Sequence, residues 1–209
     1  MKKIMIALCM GFIITLSLSL YSNAVQADIS QNVLRLHVLA NSDSKEDQAL
    51  KLRVRDRILA ESRDLFKSCK SPSDARLVFT ENQAMLQKAA MAEIQNEGYS
   101  YPVSISLDHT YFPTRHYGNV SLPAGEYEAV RVEIGAADGQ NWWCVMFPPL
   151  CFVDGSVDDE KNAGMIREQL GENADIITKD GDIDIRLRFK LVDIFQSTSH
   201  AIREAFKKA

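Results

Sequence analysis

The chain contains 209 residues, of which 46% are hydrophobic and 25% are charged, and this composition is typical of a globular protein with a substantial core. Its 24 basic and 28 acidic residues give a formal net charge of −4. Because the basic residues form no cluster along the sequence, nothing argues for binding to nucleic acid.

Residues 1–27 have the three-part layout of a secretory signal. Two lysines are followed by an almost wholly apolar run at residues 4–21 and by a small, polar stretch that ends at Ala27. Val25 and Ala27 supply the small side chains that a signal peptidase reads, so we predict cleavage after Ala27 and export of residues 28–209 as one domain. A retained membrane anchor is the alternative, because a run of about 18 apolar residues is close to the length that spans a bilayer.

Apolar and polar residues alternate at residues 32–39, which predicts a β-strand. Leu34, Leu36 and Val38 share one face of this strand, and this is the predicted core face. His37 lies on the opposite face, where a half-exposed strand residue is the simplest interpretation.

A polar segment with Asn41, Asp43 and Ser44 connects this strand to a helix that is predicted to end near Lys67. Ser44 can cap the helix, with Asp47 in a position similar to that of a capping box. Two apolar stripes, roughly 120° apart at about 100° per residue, predict that the helix packs on two sides. Turn and cap chemistry explains the polar segment, and a ligand site is the alternative, since free N–H groups at a helix N-terminus attract anions.

A second helix is predicted from Ser71 to a glycine stop at Gly98, and several strands follow it. Alternating residues predict strands at residues 103–107 and 130–134, with a turn-rich segment between them. The pattern of strand, two helices and then a series of strands favours an α+β fold over a doubly wound sheet.

The last part of the chain begins with an acidic, glycine-containing segment at residues 154–181, where one short helix is predicted at residues 163–170. A strand with one polar face is predicted at residues 183–189, and an amphipathic helix at residues 190–207. The whole pattern predicts a single α+β domain, in which a mainly antiparallel sheet of about five strands packs against about three helices.

Both tryptophans of the chain lie in a predicted strand at residues 141–147, which is apolar on both faces and is therefore expected to be central and buried. Cys144 and Cys151 flank a Pro-Pro pair that forces a turn, and we predict a structural disulfide between them. A nucleophilic Cys144 is an alternative, whereas a zinc site would need more ligands nearby. Cys69 is then left as a partly buried thiol.

The sequence contains no nucleophile elbow, zinc-protease motif or Gly-rich phosphate loop, and we predict no catalytic residue, metal ion or cofactor. His109 and His116 are spaced to bind a metal across a hairpin, but no third ligand suggests itself. An exported hydrolase or amidase that uses His37, Asp43 and His116 is one alternative. A cell-wall-binding module with an exposed row of aromatic side chains is another.

Five blocks of the sequence are LRLHVLANSDS at residues 34–44, DQALK at 47–51, YFPTR at 111–115, LPAGEY at 122–127 and NWWCVMFPPLC at 141–151. In this order, and over more than half of the chain, they resemble the stage II sporulation protein R family. The last block is long and rare in composition, which argues against a chance match.

The resemblance implies a signalling protein and not an enzyme. Members of the family are made in the forespore and exported into the space between the forespore and mother-cell membranes. There they trigger a membrane-embedded aspartic peptidase, which processes the precursor of sigma-E. The implied partner is this peptidase, and a membrane is involved only during export or through a retained anchor.

The segment at residues 111–117 is our candidate for the contact with this receptor, since Tyr and Arg are frequent at binding hot spots and Pro113 stiffens the backbone. Packing at a strand edge within the domain is the alternative. The candidate contact residues are Tyr111, Phe112, Arg115, His116 and Tyr117.

Overall fold

The computed structural model of the protein describes residues 2–152, 159–171 and 174–178. The helices in these ranges are α1 (Lys2–Gln31), α2 (Lys45–Phe66), α3 (Pro72–Asn96), α4 (Asp159–Leu170) and α5 (Ala174–Ile177), together with the 3₁₀ helix η1 (Leu150–Phe152). The strands are β1 (Leu34–Leu39), β2 (Val103–Phe112), β3 (Arg115–Tyr117), β4 (Val120–Leu122), β5 (Gly125–Ile134) and β6 (Asn141–Phe147). The strand and helix predicted at residues 183–189 and 190–207 lie outside the described residues, as does part of the acidic segment.

Local polar contacts define the ends of the two long helices that follow β1. The Ser44 side chain accepts a hydrogen bond from the backbone N–H of Asp47, so α2 begins at the predicted cap. Ser71 and Asp74 form a complete capping box at the start of α3. The chain leaves α3 through Gly98, whose φ of 81° lies in the left-handed region that glycine adopts at little cost.

The described strands form a four-stranded sheet in the order β2-β5-β1-β6 and a two-stranded sheet of β3 and β4. The α+β prediction is confirmed, but the larger sheet is mixed, because β1 and β5 are parallel whereas β1–β6 and β2–β5 are antiparallel. The parallel pair arises since the chain passes through α2, α3 and β2 between β1 and β5. Alternation of residues does not reveal this, because a strand shows the same pattern in either pairing.

β1, which lies inside the larger sheet, is buried on both faces, and the two faces differ in chemistry. The helix-covered face carries Leu34, Leu36 and Val38 and packs against α2 and α3 in a largely aliphatic core. The aromatic face carries Arg35 and His37 and packs against buried aromatic side chains and against parts of α1, α4 and α5. The prediction of a half-exposed His37 is therefore wrong, since its side chain is only 4% exposed.

The prediction that β6 is a central strand is also wrong for the sheet that the described residues form. In that sheet β6 lies at one end and pairs with β1. It is apolar on both faces because Met146 belongs to the core under the helices, whereas Val145 belongs to the aromatic face. A strand whose two faces are both covered is apolar at successive positions, whether it lies at the end of the sheet or between two other strands.

α1 contains the predicted signal segment and continues to Gln31. In its first part apolar side chains such as Ile4, Phe12 and Leu20 are exposed, whereas Ile29 near its end is fully buried against the aromatic face. Within the described residues, none of the helices combines the length and the apolar character that crossing a bilayer requires. The domain boundary after residue 27 stays a prediction.

Candidate functional site

The aromatic face of the sheet brings together a cation, an imidazole and four aromatic rings. Strand geometry places Arg35 and His37, two residues apart in β1, on the same side of the sheet. The rings come from β2, β3, β5 and β6. We call this group the Arg35 cluster, and its members are Arg35, His37, Phe112, Tyr117, Tyr127 and Trp143.

Arg35 is fully buried, yet its guanidinium group makes few polar contacts. Its Cζ lies 3.9 Å from the ring centre of Phe112 and 4.7 Å from that of Tyr127, and its Nη2 donates a hydrogen bond of 2.8 Å to the Tyr117 hydroxyl. Its Nε and Nη1 have no hydrogen-bond partner, and no carboxylate pairs with it among the residues that the structure describes. Arg35 is thus a buried cation whose charge is balanced by aromatic faces and not by an ion pair.

The contacts of Arg35 do little more than offset the free-energy cost of burying its charge. Burying an ion costs several kcal/mol, and each of the two close cation–π contacts, with Phe112 and Tyr127, returns about 2 kcal/mol when it is desolvated. A neutral hydrogen bond to Tyr117 adds about 1 kcal/mol. The contacts of Arg35 therefore come close to the cost of its burial.

His37 is held as a neutral ring inside the same cluster. It stacks on Trp143 with ring centres 4.0 Å apart and planes inclined by 12°, and its Nε2 lies 2.7 Å from Oδ1 of Asn141. Burial lowers the pKa of His37 from 6.5 to about 4, although the hydrogen bond to Asn141 opposes this shift. Because an amide oxygen only accepts, Nε2 carries the proton and Nδ1 is an acceptor. This Nδ1 is buried and has no partner among the described residues.

The candidate contact segment does not form a single exposed patch. Phe112 is fully buried at the end of β2, and Tyr111 and Tyr117 are half-buried. Arg115 and His116 in β3 are exposed and face solvent. Of the predicted contact residues, these two are exposed, whereas Phe112 packs against the guanidinium of Arg35. Whether the segment binds a receptor stays a prediction.

His116 makes a contact that resembles part of a catalytic dyad. Its Nδ1 lies 2.7 Å from Oγ of Ser121, which is the residue opposite it in the β3–β4 pair. The Ser121 side chain is only 2% exposed, so its hydroxyl is not accessible to a substrate. No carboxylate hydrogen-bonds to His37 or His116 within the described part of the chain. The contacts therefore do not supply the nucleophile, base and orienting group of a hydrolase.

The polar segment after β1 forms a network within the protein. Asn41 donates to the Asp47 carboxylate and accepts from the Ala136 N–H, while Asp43 accepts from the Gln140 N–H. Hydrogen bonds from Ser42 and Asn41 lower the pKa of the Asp47 carboxyl below its usual range. Together with the cap made by Ser44, these bonds fix the β1–α2 connection against the loop that joins β5 to β6. Turn and cap chemistry thus accounts for Asn41, Asp43 and Ser44.

Cys144 in β6 and Cys151 in η1 form a disulfide with Cα atoms 5.9 Å apart. The Val145 N–H lies 2.8 Å from Sγ of Cys151, so the bond turns the chain back against the end of β6. Cys69 is a half-buried free thiol that packs against the core under the helices, and burial raises its pKa. In the parts of the chain that the structure describes, no group of three or more His, Cys, Asp or Glu side chains is placed to hold a metal.

Sequence reasoning missed Arg35 and Tyr127 as members of the Arg35 cluster, and it missed Asn141 as the hydrogen-bond partner of His37. A signal was present, because Arg35 and His37 occupy alternate positions in an otherwise apolar strand. That pattern was compatible with an ordinary solvated face. The deciding fact, a second apolar layer over that face, depends on residues far away in the sequence.

Comparison with known proteins identifies a family for this chain. A family model described as stage II sporulation protein R matches residues 30–157, which include every member of the Arg35 cluster. The curated stage II sporulation protein R of Bacillus subtilis (strain 168) is 40% identical over 146 residues, or 70% of this chain. The chain spans 63% of the length of that relative, and no solved structure matches. With a family model that covers more than half of its length and this level of identity, the chain belongs to the stage II sporulation protein R family.

Proposed function

We propose that the protein is an exported sporulation signal, which activates a membrane-embedded aspartic peptidase that processes the sigma-E precursor. Membership of the stage II sporulation protein R family implies a role in sporulation. The layout of residues 1–27 supports export from the forespore into the space between the two membranes. In this proposal the peptidase is the receptor, and the protein itself performs no catalysis.

The observation that carries the proposal is the match to the family model over residues 30–157. The Arg35 cluster, which lies within this range, holds the β3–β4 hairpin against the larger sheet. The contact is the hydrogen bond that Nη2 of the buried Arg35 donates to the hydroxyl of Tyr117 in β3. The hairpin exposes Arg115 and His116, which are residue types suited to a protein contact. A buried neutral His37 and a buried Ser121 favour such a contact function over hydrolysis.

The cell-wall-binding alternative is less well supported. Trp142 is 36% exposed, but the Arg55 guanidinium lies 4.1 Å from its ring centre. Trp143 is half-buried and is stacked on His37. The two tryptophans therefore offer no open row of aromatic faces on which a sugar chain stacks.

The test is a titration of the purified exported protein against a fixed, high concentration of the peptidase, with cleavage of the sigma-E precursor as the readout. A signal that acts by binding saturates near a stoichiometric complex, because occupancy follows mass action. Arg115→Ala should raise the concentration that is required, and excess protein should restore full cleavage. Lys88→Ala, an exposed change on α3, is the matched control and should have no effect. Full activation at a small fraction of the receptor concentration would overturn the proposal in favour of an enzyme.

A further inference from the structure

Two buried polar side chains on the aromatic face have nitrogen atoms that form no hydrogen bond with any described residue. Arg35 keeps Nε and Nη1 without a hydrogen-bond partner in that part of the chain, and His37 keeps Nδ1. Both side chains are more than nine-tenths buried, and they lie on one side of β1. Buried polar atoms are almost always bonded in native proteins, so such a pair at one place calls for an explanation.

We infer that the Arg35 cluster is a binding site for an acidic residue of a peptide chain, which Tyr117 covers in the unbound protein. The carboxylate of the ligand takes the place of the Tyr117 hydroxyl on the guanidinium. The peptide N–H of the ligand donates to Nδ1 of His37. The inference does not depend on peptidase activation, because binding of such a peptide is measured without any receptor.

The chemistry of Arg35 selects a carboxylate. Its Nη2 already bonds to the Tyr117 hydroxyl, which is a single neutral acceptor. A carboxylate in the same place reaches Nη2 and a neighbouring guanidinium nitrogen together, in the bidentate geometry that this ion pair prefers. Such a pair also balances the buried charge, which the rings of Phe112 and Tyr127 do only in part.

The chemistry of His37 selects a peptide over a simple anion. Its Nδ1 is an acceptor, so a carboxylate cannot satisfy it, whereas an amide N–H can. Arg35 and His37 are two residues apart in β1, with Cα atoms about 6.6 Å apart and side chains on the same side of the sheet, so one bound residue can face both. The rings of Phe112 and Trp143 lie against His37 and supply apolar walls for the stem of such a residue.

Tyr117 is the residue that has to move. It is half-buried in the three-residue strand β3, and it lies next to Gly118 in the β3–β4 turn. Its hydroxyl also lies 3.4 Å from the Trp143 carbonyl, which is a long contact. Replacement of Tyr117 by Phe removes the competing hydroxyl and keeps the aromatic ring.

The test is a titration of the purified, isotopically labelled protein, followed by NMR through the Nε–H signal of Arg35. The probes are a capped tripeptide with a central glutamate, the same tripeptide with glutamine, and acetate. We expect the glutamate peptide to shift the Arg35 signal saturably and more tightly than acetate, and the glutamine peptide to leave it unchanged. Tyr117→Phe should tighten binding of the glutamate peptide about fivefold, the equivalent of about 1 kcal/mol for one neutral hydrogen bond.

The titration of the natural protein tests the inference even if the Tyr117→Phe variant does not fold. No shift of the Arg35 signal by the glutamate peptide, in either the natural protein or Tyr117→Phe, overturns the inference and leaves Arg35 as a structural cation. Equal affinity for acetate and for the glutamate peptide overturns the peptide assignment. A shift with the glutamine peptide of the same size overturns the assignment to a carboxylate.

Discussion

β1 is buried on both faces of the central sheet, but the two faces differ in how well their polar groups are satisfied. Under α2 and α3 the sheet meets side chains such as Phe79 and Leu86, and the core there is almost wholly apolar. On the other face the same strand buries Arg35 and His37 among aromatic rings. Burial of polar atoms without partners weakens a fold, and among the described residues of β1 it is the second face that carries that cost.

This difference separates a face whose packing is almost wholly apolar from a face that also buries directional polar groups. Apolar packing is non-directional, and its contribution follows the area removed from water. Aromatic side chains and arginine combine apolar area with directional polar groups, and they are enriched where proteins bind partners. The aromatic face also supports the hairpin that exposes Arg115 and His116.

The largest effect is expected from removal of apolar volume under the helices. Phe79→Ala should lower the free energy of unfolding by about 3–5 kcal/mol, because the side chain is fully buried and leaves a cavity. Leu77→Ala on the same helix is the control, since Leu77 is 58% exposed and should change stability by less than about 0.5 kcal/mol. Denaturant unfolding measures both values. Similar losses for the two variants would mean that α3 does not pack as described.

Patterning predicted the helix-covered face well, because local signals determine it. Leu34, Leu36 and Val38 alternate, and Ser44 and Ser71 mark the starts of helices that cover them. These features depend on neighbours within a few residues. The parallel pairing of β1 with β5 was not predictable in this way, because it joins segments about 90 residues apart and leaves no local trace.

The aromatic face was predicted only in pieces. The candidate segment at residues 111–117 contains Phe112 and Tyr117, but its interpretation as one contact patch did not separate the buried rings from the exposed Arg115. Burial of His37 depends on Trp143 and on the second core layer, which come from later parts of the chain. An alternating strand with one polar face looks the same whether water or a second layer covers that face.

The second-largest effect is expected from removal of the disulfide at the end of β6, a strand whose residues belong to the cores on both faces. Joint replacement Cys144→Ser and Cys151→Ser should lower the free energy of unfolding by about 2–3 kcal/mol, because the bond closes a short loop and restricts the unfolded chain. Cys69→Ser is the control and should have a smaller effect, since Cys69 is half-buried and free. Peptide mapping without reduction should recover Cys144 linked to Cys151. Recovery of Cys69 linked to either of them would contradict the assignment.

The third effect is a pH dependence that belongs to the aromatic face alone. Folding lowers the pKa of His37 to about 4, mainly through burial, while Arg131 and Arg35 lower it further and Glu133 raises it. The unfolded chain therefore binds a proton that the folded protein does not, and stability is lost as pH falls from about 6.5 toward 4. Between pH 7 and pH 5 this loss should be about 2 kcal/mol.

The measurement is denaturant unfolding at pH 7 and pH 5 for the natural protein and for His37→Gln. The variant should lose the part of the pH dependence that His37 contributes, because its side chain does not titrate. His109→Gln, an exposed change on β2, should keep the full dependence. An unchanged pH dependence in His37→Gln would mean that the imidazole is accessible to water in the folded protein.

The smallest change in stability is expected from replacement of Arg35, the buried cation that distinguishes the aromatic face from the helix-covered face. Arg35→Met replaces a buried cation with an apolar side chain of similar length, which keeps the packing on Phe112 and Tyr127. Since Arg35 has no ion-pair partner within the described residues, the loss of its contacts and the relief of its burial nearly cancel. We expect stability within about 1 kcal/mol of the natural protein.

The matched control is Arg76→Met, because Arg76 forms an ion pair with the partly buried Glu128. That change leaves a carboxylate without its partner and should cost more, about 1–3 kcal/mol. Denaturant unfolding ranks the two variants, and activation of sigma-E precursor cleavage is then compared at equal folded concentration. Arg35→Met should lose activation while it stays folded, and Arg76→Met should retain it. A loss of stability above about 3 kcal/mol in Arg35→Met would instead mean that this cation is part of what holds the aromatic face together.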